Sequence, residues 1–108
     1  MIKIENIPPK LKGKELKEKL IRICEENDIA FMAIFGSFVR GKEKKKSDLD
    51  IAIEFTEKSN KSLFDLIHIE DDLRKIFRRK VDLGIFSTLH PYVIEDVTRE
   101  MKIIYEKG

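Results

Sequence analysis

Apolar and polar positions follow two different rhythms along this 108-residue chain, and the rhythms mark out its elements. From about Gly13 to Asn27, the residues Leu16, Leu20, Ile23 and Cys24 recur at helical spacing while Lys and Glu fill the opposite side, which predicts an amphipathic helix. Ile29–Phe35 is short and almost wholly apolar, the pattern of a strand covered on both faces. A helical turn is expected over roughly Phe38–Arg40. A second strand is expected over Asp48–Phe55, with Ile51, Ile53 and Phe55 on one face and Asp48, Asp50, Ala52 and Glu54 on the other. Leu63, Leu66, Ile67, Leu73, Ile76 and Phe77 predict a helix over about Leu63–Arg79. It is entered through Ser62 and Asp65, which resemble a capping box with Asp where Glu or Gln is usual. Val81–Phe86 reads as a third strand. After His90, Pro91 suits a first helical turn, and Tyr92, Val93, Ile94 and Val97 cover one side of a helix to about Met101. Lys102–Glu106 fits either a final edge strand or a continuation of that helix. Ahead of these, Met1–Pro9 is a lead-in with room for a short strand at Ile2–Ile4, and Pro8-Pro9 interrupts regular structure. The mixture gives an α/β (α+β) chain: a small mixed β-sheet flanked by helices, one domain over residues 1–108.

Composition narrows the function classes. Charged residues make up 39% of the chain, but the signs nearly balance at a formal net charge of +2. That argues against a dedicated nucleic-acid surface, which would be strongly basic. Cys24 is the only cysteine, so no internal disulfide is expected, the cytoplasm is the expected compartment, and within its helical pattern the thiol reads as a small buried apolar group. No apolar run approaches the roughly 20 residues of a membrane span, and the first residues lack a signal-peptide core.

Candidate chemistry concentrates between Ile34 and Phe55. An apolar run meets Gly36-Ser37, then a basic loop, then Asp48-Leu49-Asp50 opening another apolar run. Two carboxylates two positions apart at a strand start project to one side. They repel each other, and a divalent cation relieves that repulsion; Mg²⁺ favours oxygen ligands of this kind. At the Gly36-Ser37 turn, backbone N–H groups suit a phosphate, glycine permits close approach and the Ser37 hydroxyl can donate. Lys42–Lys46 holds four lysines and one glutamate, and reads either as a solvated turn or as electrostatic help for a polyphosphate. Arg40 either pairs with a neighbouring carboxylate and braces the loop, or touches a phosphate. Glu54 shares the carboxylates' face but sits too far along the strand. His68 and His90 have no ligand-spaced companion. Asp82 is an acid inside an apolar run, which burial alone would disfavour; Lys80 is one possible partner for it.

Gly36-Ser37 followed after ten residues by Asp48-x-Asp50 resembles the signature of the DNA polymerase beta-like nucleotidyltransferase superfamily. Arg40, Gly41 and Ser47 meet its fuller form, Gly-Ser-x-x-Arg-Gly with Ser-Asp-x-Asp, and no signature residue departs from it. The short chain resembles the minimal nucleotidyltransferases, which are commonly paired with a HEPN-domain protein. The resemblance implies the polymerase beta-like nucleotidyltransferase fold and a third carboxylate from the strand beside the Asp-x-Asp strand, a place that Asp82 fits. It also implies ATP as substrate, with one or two Mg²⁺ ions held by Asp48, Asp50 and Asp82, and Gly36, Ser37 and Arg40 on the nucleotide phosphates. The implied activity is AMP transfer to a hydroxyl of a HEPN ribonuclease toxin, with this chain as the antitoxin in a hetero-oligomer. Two other readings stay open: a binding module that neutralises a partner by occlusion, and a transferase acting on a small molecule or RNA.

Overall fold

A computed structural model of the chain describes residues 2–13, 15–42, 44 and 47–107, Lys10 through its backbone alone. Four strands form one sheet: β1 (Ile29–Phe35), β2 (Leu49–Phe55), β3 (Val81–Ile85) and β4 (Lys102–Glu106), in the order β3-β2-β1-β4. β1 is antiparallel to both β2 and β4, whereas β3 runs parallel to β2. The parallel pair needs a long crossover, and α3 (Leu63–Phe77) provides it. Among the described residues the other α-helices are α1 (Leu16–Glu26), α2 (Ser37–Arg40) and α4 (Pro91–Glu100).

Leu49, Ile51 and Ile53 of β2 and Met32 and Ile34 of β1 are fully buried. They form one apolar cluster with Leu20, Ile23 and Cys24 of α1 and Ile69, Leu73 and Phe77 of α3. Burial pushes the Cys24 thiol up to about 12, so it stays protonated and inert. On the other sheet face the register sets small residues in a row, Ala33 beside Ala52 beside Gly84. That row makes room for the segment that follows β3. Leu89 comes within 3.4 Å of where a Gly84 Cβ would stand, and Val97 of α4 is buried.

Several boundaries move from their expected places. The capping box forms: Asp65 N–H donates to Ser62 Oγ at 3.4 Å and Ser62 N–H donates to Asp65 Oδ2 at 2.8 Å. Helix α3 stops at Phe77, and Arg78 takes a left-handed conformation at φ 53. Its buried stripe is Ile69, Leu73 and Phe77, with Leu66 and Ile76 partly covered. Leu63 and Ile67, expected on that stripe, are exposed. Ile67 lies about 120° round the helix from the stripe's centre and Leu63 about 80°. Tyr92 and Val93, expected to cover α4's inner side, are exposed as well. The lead-in forms no strand at Ile2–Ile4: Ile2 makes a single bridge to Tyr105, and Ile4–Asn6 is a 3₁₀ turn. The last segment is an edge strand, because Ile103 pairs with Ala33 of β1. Among the described residues no helix is long and apolar enough to cross a membrane.

Candidate active site

β1 ends at Phe35 and the chain turns through Gly36 into α2. Gly36 has φ 77 and ψ −149, a region closed to residues with a side chain. A Cβ placed there would also collide with Asp50 Oδ2, with Asp50 Cγ only 3.1 Å away. Glycine therefore does two things: it makes the turn, and it lets the backbone lie directly against the Asp50 carboxyl. The Val39 and Arg40 amides donate back to Gly36 O at 3.1 and 3.2 Å. The amides ahead of them, of Ser37 and Phe38, open the helical turn, where the first N–H groups have no intrahelical acceptor.

The sheet register brings the acids together. Phe35 pairs with Asp50 across β1–β2, and Asp50 pairs with Asp82 across β2–β3. Directly paired residues share a face, and adjacent strands stand about 4.8 Å apart. Asp48 precedes the strand by one residue and is exposed, as is Asp82 on the outer strand, while Asp50 is half-buried. The Asp50 carboxyl is held above its ordinary range, chiefly by burial, then by the charges of Asp82 and Asp48; Arg40 opposes the rise and Glu100 adds to it. Four carboxylates thus act on one place against a single arginine. Among the described residues no three acids, histidines or cysteines are already gathered closely enough to clasp an ion. The donor set nevertheless suits a hard divalent cation: all oxygen, net negative, and beside a backbone turn that admits no side chain.

A cleft of about 530 Å³ opens beside the carboxylates, lined by Gly36, Asp50 and Arg40 on one side and by Val93, Val97 and Glu100 of α4 on the other. Arg40 Nε lies 3.8 Å from Glu100 Oε2, so the arginine does pair with a neighbouring carboxylate. Of the basic loop, Glu43, Lys45 and Lys46 lie outside the described residues; Ser47 Oγ accepts from Lys44 N–H at 2.7 Å. Glu54 turns away from the site to accept from Ser87 N–H at 2.9 Å. His68 faces Asp72 at 3.7 Å, and His90 Nδ1 accepts from Tyr92 N–H, so each has a local role.

Two contributors have no signal in the chain's patterning. Glu100 is one. The other is Arg79, whose Nη1 donates to Ser47 O at 3.2 Å and whose guanidinium lies 4.7 Å from the centre of the Phe38 ring. It ties the residue after Ser37 to the residue before Asp48. Nothing in sequence separates Arg79 from Arg78 or Lys80 beside it. Replacing Arg79 with alanine is expected to cost about 1–3 kcal/mol in denaturant unfolding, the range for a charged hydrogen bond together with a cation–π contact. Arg78→Ala, in the exposed neighbour, is expected to cost less than half as much.

Comparisons with known proteins place the chain in a family. Residues 18–108 match the family model described as polymerase beta, nucleotidyltransferase. A Methanocaldococcus jannaschii protein provisionally named as a protein adenylyltransferase is 34% identical over 80% of this chain and 90% of its own. The protein adenylyltransferase MntA of Thermococcus cleftensis is 34% identical over 82% of this chain and 80% of its own. A solved structure provisionally described as a minimal nucleotidyltransferase superposes with a TM-score of 0.68 at 28% identity, covering 80% of this chain and 86% of that one. At 17% identity, which speaks for the fold alone, a chain from the structure of a tri-AMPylated Shewanella oneidensis HEPN toxin in complex with MNT antitoxin superposes with a TM-score of 0.62, covering 85% of this chain and 71% of that one. With its sheet, its glycine turn and its paired aspartates in these positions, the chain belongs to the polymerase beta nucleotidyltransferase family.

Proposed function

We propose that the chain is a Mg²⁺-dependent protein adenylyltransferase, moving AMP from ATP to a hydroxyl of a HEPN-domain ribonuclease toxin and so acting as its antitoxin. The observation that carries the reading is the row in which Asp50 stands against Gly36 on one side and opposite Asp82 on the other. Asp48, Asp50 and Asp82 are the residues to hold one or two Mg²⁺ ions, which when bound supply neutralisation of the triphosphate and of the departing pyrophosphate. Gly36, Ser37 and Arg40 receive the phosphates, the first two through turn amides and a hydroxyl, the third through its guanidinium. The acceptor oxygen bonds to the α-phosphorus as the bond to the β-phosphate breaks, and pyrophosphate leaves. Asp82 takes the acceptor's proton. Its exposure on the outer strand suits an acceptor arriving on another protein chain. Residues 1–108 act as one minimal nucleotidyltransferase domain, in the cytoplasm, in a hetero-oligomer with the toxin.

Relatives named as protein adenylyltransferases support the reaction class. The test uses labelled ATP, Mg²⁺ and a HEPN-domain ribonuclease as the candidate acceptor. The wild type is expected to label that protein on a hydroxyl residue, and Asp48→Asn and Asp82→Asn are each expected to lose label transfer. Transfer that persists in both variants contradicts the site. Toxin neutralised fully by the unlabelled variants would instead support occlusion.

A further inference from the structure

We propose that Glu100 is a positioning residue for the nucleotide: it orients the Arg40 guanidinium across the cleft so that its terminal nitrogens meet the triphosphate. The inference rests on the adenylyltransferase reading above and assigns a part to a residue outside the Gly-Ser and Asp-x-Asp signature.

Three observations carry it. First, Glu100 is the last residue of α4, where the negative end of the helix dipole disfavours a carboxylate. The helix's own cation does not offset it: Arg99 turns to Asp96 at 2.9 Å and Glu95 at 3.8 Å. A favourable partner stands on a different element: Arg40, 3.8 Å away. Second, that contact uses the Nε edge of the guanidinium, and the planar fork has further donors on its two terminal nitrogens. Both residues line the cleft that also holds Gly36 and Asp50, the space that a triphosphate beside the glycine turn would enter. Third, the pair contributes little to the fold. The Arg40 and Glu100 side chains are 55% and 29% exposed, and at 3.8 Å they make a charge contact rather than a hydrogen bond. Such pairs are worth roughly 0–1 kcal/mol in stability, too little to explain why a half-buried acid stands here among Asp48, Asp50 and Asp82.

The sign of the effect on nucleotide affinity separates this role from simple electrostatics. A carboxylate that only adds negative charge repels a triphosphate, so removing it would tighten binding. A carboxylate that holds Arg40 in place would weaken binding when removed. The experiment is calorimetric titration of the intact chain with a non-hydrolysable ATP analogue and Mg²⁺. It covers wild type, Glu100→Gln, Glu100→Asp, Arg40→Ala and the Arg40→Ala/Glu100→Gln double variant, with melting midpoints to verify folding. Glu100→Gln is expected to raise Kd about 5- to 10-fold, the equivalent of about 1–1.4 kcal/mol, and Glu100→Asp to recover part of the loss. In the Arg40→Ala background, Glu100→Gln is expected to change Kd by less than twofold. Unchanged or tighter binding by Glu100→Gln, or an equal loss with and without Arg40, overturns the inference while wild-type binding keeps the adenylyltransferase reading. A wild type that binds no analogue overturns both.

Discussion

Asp50→Asn is expected to abolish AMP transfer and, in the same protein, to raise the melting midpoint at neutral pH. The two effects have one cause. Burial and the charges of Asp82 and Asp48 hold the Asp50 carboxyl above its ordinary value of 3.8. A raised acid binds its proton more tightly in the folded chain than in the unfolded one. Folding stability therefore falls as pH rises from the ordinary carboxylate value through the raised one, and levels off above it. At pH 7 wild-type Asp50 is ionised at that cost, and asparagine removes it while keeping the shape. The function lost is larger than the stability gained. Neutralising charge on a phosphoryl centre is worth several kcal/mol, so the loss is expected to be about 10³-fold or more. Thermal unfolding across pH 4–8 checks the first part: the gap between variant and wild type widens with pH and then stays constant. A gap that is flat or reversed would mean that folding does not raise the Asp50 carboxyl. Mg²⁺ with ATP analogue is expected to raise the wild-type midpoint and leave that of Asp50→Asn unmoved, since only a binding site converts ligand into stability.

Gly36→Ala is expected to be the most damaging single methyl in the chain. The backbone at φ 77, ψ −149 costs a non-glycine residue about 1–3 kcal/mol, and the new Cβ would strike Asp50 Oδ2. The chain can answer by swinging Asp50 aside or by opening the turn. Either removes one half of the site from the other, so nucleotide affinity is expected to fall further than stability does. Gly41 is the control. It also has positive φ, 69, but among the described residues a Cβ there meets nothing within 4 Å, so Gly41→Ala is expected to lower stability alone. Equal losses of affinity in the two variants would show that the Gly36–Asp50 contact has no special part.

Much of this geometry was legible because its signals are local. β1 is apolar from Ile29 to Phe35 and is bracketed by Asp28 at φ 55 and by Gly36, so composition and turn residues agree on its ends. Asp48 and Asp50 could be put on one side of a strand by alternation alone. The pairing of Asp50 with Asp82 could not be derived that way, since it depends on a crossover of two dozen or so residues closing in one register; the family resemblance supplied it. The inner face of α3 is narrower than its apolar residues suggest: Leu63 and Ile67 lie to one side of the Ile69, Leu73 and Phe77 stripe, and periodicity alone does not say which part of a broad apolar arc is covered. Lys102–Glu106 had no local preference, and only its partner β1 made it a strand. Arg79 and Glu100 were invisible for the same reason: each matters through a contact with a residue more than 30 positions away, and each sits in a run of ordinary charged residues.

The most direct test of the account is a crystal structure of the chain grown with Mn²⁺ and a non-hydrolysable ATP analogue, read by anomalous scattering at the metal. The predicted result is a metal peak bounded by carboxylate oxygens of Asp48, Asp50 and Asp82, with the analogue's phosphates against Gly36 and Ser37. A peak held by other residues, or an analogue bound away from the Gly36 turn with the three carboxylates facing solvent, would contradict it.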